Sequence, residues 1–385
     1  METCFPGPAT GHLASIQRKS YDDAVKRLPI LNQAAFAACD IDDVEALKRL
    51  IDSFDLVIHA AGPFQRKTTC TVLEACIATK TPYMDVCDDS AYAQRARTYS
   101  EAARAAGVPA ITTAGIYPGT SNVMAAHMIS IARREYDAGW KHLGYEAGRG
   151  VQPKRVLYSY FTAGSGGAGP TILDTSLLLA GLEVVVYVDG KEVRAPPVSN
   201  HRIVDFGKGI GRRSVYLYHL PEVQSTHECL SVPSVSARFG TDPEFWNWAM
   251  VAVARLSPKG FLEDRNKSRA LSALANPWVR LVDPLVGERV AMKVEVELDD
   301  GTTAAGIFAH KKLSITVGVC IAAFARSMLA GGTQPGVWFP EQPEAMADRR
   351  RLLELSAEGT MRFELNRPPW ALEDDPTQLG MGFYW

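Results

Sequence analysis

Between Tyr21 and Tyr136 the sequence alternates short β-branched apolar runs with helical periodicities. That rhythm fits a doubly wound parallel sheet covered by helices. The run from Phe54 to Ala60 is apolar at nearly consecutive positions and is broken by Gly62-Pro63, as in a strand buried on both faces. Thr71–Thr79 sets Val72, Leu73, Cys76 and Ile77 at helical spacing, and Tyr83–Val86 is the next short strand. Ala91–Ala106 reads as one alanine-rich helix stopped by Gly107, with Pro109 just beyond. Val108–Ala114 and Ser121–Arg134 repeat the strand–helix pair. Asp42 followed by Glu45 has capping-box spacing ahead of the helical face of Val44, Leu47 and Ile51.

The pattern changes near residue 150. Ser214–Leu220 and Glu288–Leu298 alternate with period two, and Asp299-Asp300-Gly301 is a hairpin signal. Glu244–Leu256 is a helix with a bulky face of Phe245, Trp246 and Trp248. The expected fold class is therefore α/β, a parallel sheet followed by an α+β domain with a mostly antiparallel sheet. The longest apolar stretch, Leu313–Ala330, contains Ser314, Thr316, Arg326 and Ser327, and reads as a buried helix rather than a membrane span.

Composition narrows the partners. Among 385 residues, 41 basic and 43 acidic side chains leave a net charge of −2, with no basic stripe of the kind that binds nucleic acid or anionic membrane. Small-molecule partners are expected. Seven cysteines without a C-x-x-C pair argue against a disulfide framework and against a zinc site, so no metal is expected. The first residues carry neither a secretory signal nor a visible transit peptide.

Three segments carry candidate chemistry. Gly164, Gly166 and Gly169 match G-x-G-x-x-G, but the preceding strand alternates Tyr158, Ser159 and Tyr160, and the motif lies outside the parallel-sheet region. A glycine loop of the second domain is the favoured reading, with Gly166 and Gly167 set to line a substrate site. Ala60-Ala61-Gly62-Pro63-Phe64 follows a strand end, where small residues let a flat cofactor lie against the backbone. An ordinary tight turn has the same composition. Thr113–Asn122 also follows a strand and opens a helix that Ser121 or Asn122 would cap. Among strand-end titratable groups, Asp85 and Tyr117 are the first candidates for proton transfer, with His227 behind them on the substrate side. Gly207–Arg213 has an anion-binding composition that a basic surface turn explains equally well.

Leu56–Phe64, Val72–Asp89 and Gly107–Asn122 resemble the saccharopine dehydrogenase-like oxidoreductase family, with particular likeness to its plant and algal chloroplast branch. The likeness continues through Phe161–Leu173, Val204–Phe239 and Ala309–Pro340. It implies a Rossmann NAD(P)-binding domain over 1–136 and an α+β substrate and dimerisation domain over 137–312. A helix over 313–334 would return to the Rossmann domain, and a Pro- and Trp-rich tail would fill 335–385. It implies NADP or NAD as cofactor, NADP preferred, and a small polar substrate such as an amino acid or imine. Asp40 and Ile41 would approach the adenine, Ala60–Pro63 and Gly115–Gly119 the nicotinamide. Arg18 would meet the NADP phosphate, unless it is only a solvated charge at a helix start. A chloroplast location follows from the same likeness, as does compatibility with a homodimer. The departure is at the front: the family opens with a strand and a glycine-rich G-G-x-G-x-x-G turn, and only about a dozen unrelated residues stand where a unit of roughly 30 belongs. A lost coding segment and a genuine truncation both account for this; the strand edges a truncation would expose favour the first. The rival expectation is a non-catalytic interaction protein that keeps the fold without the cofactor.

Overall fold

The computed structural model describes residues 12–15, 18–62, 64–65, 67–133, 151–164, 170–258 and 260–373. Strand β1 (His12–Ser15) is followed by α1 (Arg18–Arg27), a 3-10 turn (Pro29–Gln33) and β2 (Ala35–Ala38). Then come α2 (Val44–Ile51), β3 (Val57–His59), α3 (Thr71–Thr79), β4 (Tyr83–Asp85), α4 (Ser90–Arg97), α5 (Ser100–Ala106), β5 (Pro109–Ile111) and α6 (Thr120–Arg133). Local chemistry sets several boundaries. The Asp43 carboxylate, not that of Asp42, accepts the Ala46 N–H at 3.0 Å and caps α2. Asp42 instead pairs with Lys67 at 2.8 Å. The single helix expected over 91–106 is two, because Asp89 caps α4 through the Tyr92 N–H and the chain breaks at Thr98-Tyr99. Gly107 ends α5 in the left-handed conformation expected of it, at φ +73°.

The second half begins with β6 (Pro153–Ala163), α7 (Pro170–Ala180), β7 (Val184–Val188), β8 (Lys191–Ala195), β9 (Ser199–Asp205) and β10 (Arg212–Leu217). It continues through α8 (Pro221–Leu230), β11 (Ser234–Asp242), α9 (Glu244–Leu256), α10 (Arg265–Val286), β12 (Arg289–Leu298) and β13 (Thr303–His310). The chain closes with α11 (Leu313–Leu329), β14 (Gly336–Trp338), α12 (Arg349–Ser356), β15 (Arg362–Arg367) and α13 (Pro369–Leu372). A nine-stranded mixed sheet runs β15-β13-β12-β6-β11-β10-β9, with β7 pairing both β11 and β8. Only the β6–β11 pair in it is parallel. The β12–β13 hairpin turns at Asp299–Gly301, as its sequence indicates.

The Rossmann-like half holds two parallel sheets, β1-β2 and β14-β5-β4-β3. The segment after residue 335, expected as a tail, thus supplies a strand to each half: β14 extends the parallel sheet beside β5, and β15 edges the mixed sheet beside β13. Helix α11 packs on α12 and buries Cys320 and Phe324 in the same apolar core as Met84 and Ile111 of the parallel strands, while β14 joins the parallel sheet itself. One apolar core crosses from Met84, Ile111 and Ile116 at the parallel strand ends to Tyr160, Met292 and Phe308 on the mixed sheet. The two halves are packed together rather than strung on a linker. No helix among the described residues is long and apolar enough to cross a membrane.

The cap assignment is open to test by urea unfolding. Asp43→Ala should cost about 1 kcal/mol, the usual worth of an N-cap. Asp42→Ala, which removes an exposed ion pair, should cost less than about 0.5 kcal/mol. The reverse ranking would place the cap at Asp42.

Candidate functional site

The parallel strands β3, β4 and β5 end side by side, and their carboxyl-end loops carry most of the residues that the sequence singles out. Ala60, Ala61 and Gly62 follow β3 and are exposed. A side chain at Gly62 would meet nothing nearer than Phe64 at 3.7 Å, so the backbone there is open to a flat ligand. Pro63, Gly166 and Gly167 lie outside the described residues. Asp40 and Ile41 follow β2, Asp40 exposed and accepting the Asp42 N–H, the Ile41 carbonyl accepting from Thr71 at 2.6 Å. Arg18 opens α1, exposed, paired with Asp22 at 3.1 Å and lying over the Phe36 ring at 5.0 Å. Arg18, Asp40–Ile41 and Ala60–Gly62 thus follow β1, β2 and β3 respectively. Among the described residues no glycine-rich helix start is present to take a dinucleotide's pyrophosphate.

Asp85 is wholly buried. Its Oδ1 accepts from the Cys87 N–H (3.0 Å), the Thr113 N–H (2.8 Å) and the Thr112 hydroxyl (3.1 Å), and its Oδ2 from the Tyr83 hydroxyl (2.9 Å). Burial raises its pKa to about 6 while those four donors oppose the rise. With both oxygens engaged, Asp85 ties β4 to the loop after β5. Tyr83 carries the network to His59 Nδ1 at 3.1 Å, and burial lowers the His59 pKa to about 4.

The loop from Gly115 to Gly119 is closed on itself. Thr120 N–H donates to the Gly115 carbonyl, Gly115 N–H to the Pro118 carbonyl, and Gly119 N–H to Asn122 Oδ1 at 2.9 Å. Gly119 sits at φ +131°, and a Cβ there would fall 2.2 Å from the Gly115 oxygen. Both glycines are buried, so the open backbone lies at Ala60–Gly62 rather than here. Tyr117, partly exposed, stacks on Tyr160 of β6 with ring centroids 4.6 Å apart.

Beneath that stack lies a polar layer that sequence reasoning missed. Glu222, in the first turn of α8, is wholly buried, and neither of its oxygens has a partner in hydrogen-bond geometry. The Tyr160 hydroxyl, close enough to influence it, is likewise unpartnered. Burial raises the Glu222 pKa to about 7. A second buried carboxylate, Glu341, accepts from Asn122 Nδ2 at 3.1 Å, and the same amide donates to Ser225 at 3.2 Å. Burial raises the Glu341 pKa too, and its charge adds to the rise at Glu222. An acid behind Pro221 at a helix start looks in sequence like an ordinary solvated first-turn charge, which is why Glu222 was illegible. His227 stands apart at the far end of α8: its Nδ1 donates to the Val232 carbonyl at 2.7 Å and its ring stacks on Tyr187 at 3.8 Å. Beside the β3 loop, a cleft of about 330 Å³ opens among Gln65, Lys67, Asp89, Arg95, Leu178 and His219. No group of three or more metal-ligating side chains occurs among the described residues.

A pKa raised on folding stabilises the protonated fold, so the Glu222 contribution is present below about pH 4.5 and is lost as pH rises to about 7. The change is about 3 kcal/mol over that window. Urea unfolding between pH 4.5 and 8 should show wild-type stability falling relative to Glu222→Gln up to about pH 7 and level above it. A difference independent of pH would show that Glu222 titrates normally.

Residues 13–111 match the family model of the saccharopine dehydrogenase NADP binding domain. No curated protein matches the chain. Among solved structures it is similar to apo saccharopine dehydrogenase (L-Glu forming) from Saccharomyces cerevisiae, at 14% identity over 93% of this chain and 94% of that one, with a TM-score of 0.61. It also matches an NAD binding oxidoreductase from Klebsiella pneumoniae, at 11% identity over 94% and 90% of the two chains, with a TM-score of 0.34. A third match is the WlbA dehydrogenase from Thermus thermophilus in complex with NAD and alpha-ketoglutarate, at 13% identity, 92% and 88% coverage and a TM-score of 0.33. The chain has a fold consistent with that of saccharopine dehydrogenase, and its Rossmann-like half is similar to that family's NADP-binding domain.

Proposed function

We propose that this chain is an NAD(P)-dependent oxidoreductase that prefers NADP and acts on a small polar metabolite, an amino acid or imine. One coincidence carries the reading: the segment matching an NADP-binding domain, residues 13–111, is the segment whose successive parallel strands are followed by Arg18 after β1, Asp40 after β2 and the exposed Ala60–Gly62 after β3. Ligands of open α/β sheets lie at such strand ends. Arg18 would hold the ribose phosphate, Asp40 and Ile41 the adenosine, and Ala60–Gly62 the nicotinamide face. Bound there, the cofactor supplies the hydride chemistry. The chain's own part is to orient substrate and hold a proton. The cleft beside the β3 loop carries both signs of charge, Lys67 and Arg95 against Asp89 and Glu263, which suits a zwitterion. Glu222, with a pKa near 7, is able to store a proton behind the Tyr117–Tyr160 stack. Asp85 would act by positioning. Membership of the plant and algal chloroplast branch, a chloroplast location and a homodimer belong to the same proposal and rest on the sequence resemblance.

A second reading, a fold retained without cofactor binding, draws on the separation of β1-β2 from the four-stranded sheet. Fluorescence titration of the full chain with NADPH and NADH decides between them. Saturable binding is expected, with Arg18→Ala weakening NADPH about tenfold and NADH little, the equivalent of one charged phosphate contact. Saturation by neither nucleotide would overturn the oxidoreductase reading and leave the second.

A further inference from the structure

The face of the mixed sheet turned away from Tyr158 and Tyr160 carries a second polar concentration, remote from the strand-end loops. Along β11, alternate residues place Ser234, Ser236 and Arg238 opposite Arg155, Leu157 and Ser159 of β6. Arg238 is only 4% exposed. Its Nε and Nη2 donate to the carbonyl and the Oδ1 of Asn200, at 3.4 and 3.2 Å, and its Nη1 donates to the Ser236 hydroxyl at 3.0 Å. All three acceptors are neutral. A guanidinium has five N–H donors, so two remain without an acceptor among the described residues. Burial, with a smaller contribution from the neighbouring cation Arg202, lowers the Arg238 pKa to about 10.

A buried charge is normally matched by an opposite charge, because desolvation is otherwise uncompensated. Here none of the described carboxylates pairs with Arg238 or with Arg202. Both side chains instead line an open groove of about 310 Å³, together with Arg155, Asn200, Ser234 and Ser236. Arg155 pairs with Glu297 at 3.3 Å, a carboxylate that it shares with Lys154 at 2.9 Å. The one acid on the rim, Asp189, is turned to Ser234, whose hydroxyl donates to it at 3.4 Å.

We infer that this groove is a binding site for a small oxyanion-bearing molecule, a phosphate or carboxylate held between Arg238 and Arg202. Arg238 is fixed in place by Asn200 and Ser236, so it would lose little side-chain freedom on binding, and it offers its remaining N–H groups to two oxygens. The groove admits a metabolite somewhat larger than the ion itself. Arg202, on the exposed strand β9, would close the second side.

The test is a thermal-unfolding titration of the full chain with inorganic phosphate and with malonate, each against sodium chloride at matched ionic strength. A saturable rise in Tm is expected with at least one anion. Phosphate active and malonate inactive assigns a phosphate group; the converse assigns a carboxylate. Arg202→Gln, a surface change that leaves the core intact, should abolish the rise. Arg194→Gln, on an exposed arginine outside the groove, should leave it unchanged. Arg238→Gln should also abolish it, but Arg202→Gln is decisive if that variant fails to fold. No rise beyond chloride, or a rise that survives Arg202→Gln, overturns the assignment. A dimer that Arg202→Gln dissociates, with no anion effect, also overturns it and gives the groove to an acidic segment of a second copy.

Discussion

The carboxylate of Asp85 decides where the loops at the strand ends point. It gathers the Cys87 N–H, the Thr113 N–H and the hydroxyls of Thr112 and Tyr83 from three neighbouring segments. Thr113 stands at φ +63°, a conformation that a β-branched residue adopts only where its surroundings over-determine it. Its N–H is held by Asp85, and the Ala114 N–H beside it donates to the Asp85 carbonyl at 2.7 Å. From this pinned turn the chain enters the Gly115–Gly119 loop and then α6. The position of Tyr117, and through it the stack on Tyr160, therefore descends from one buried side chain.

What lies below the stack is unusual for a junction between two sheets. The surrounding core is apolar, yet Glu222, Glu341, Asn122, Ser225 and the Tyr158–Thr226 hydroxyl pair form a layer within it. Asn122 is the hinge pin of that layer, since its amide joins Gly119, Ser225 and Glu341 from three different elements. Half-satisfied polar groups in a dry core weaken a fold unless they are used. For Glu222 and Tyr160 that cost falls directly behind the Tyr117–Tyr160 stack.

Sequence periodicity was enough to delimit α9 at Glu244–Leu256, the Asp299–Gly301 hairpin and the glycine stop at Gly107, because each depends on residues adjacent in the chain. It also placed the strand-end loops at Ala60–Gly62 and Gly115–Gly119. Non-adjacent partners defeated it. Asp43 outcompetes Asp42 for the α2 cap once Lys67 engages Asp42. Gly336–Trp338 has too short an apolar run to read as a strand, and pairing with β5 makes it one. Asp85 reads as a candidate acid, and only the fold brings the four donors around it. Glu222 and Arg238 read as surface charges on a helix start and a strand, and only the packing of other elements over them reveals their burial.

The separation of β1-β2 from the four-stranded sheet has a dynamic corollary. Among the described residues the small sheet shares no ladder with the large one, and the loop after β2 is tied to the larger unit by hydrogen bonding of Ile41 with Thr71 and pairing of Asp42 with Lys67. Such a unit can open with a free energy below that of the whole molecule, so its amides would exchange with solvent ahead of those in β4 and β5. A ligand laid across Asp40 and Ala60–Gly62 would touch both sheets at once. It would act as a strut, slowing exchange in a sheet that backbone pairing alone does not fasten to its neighbour.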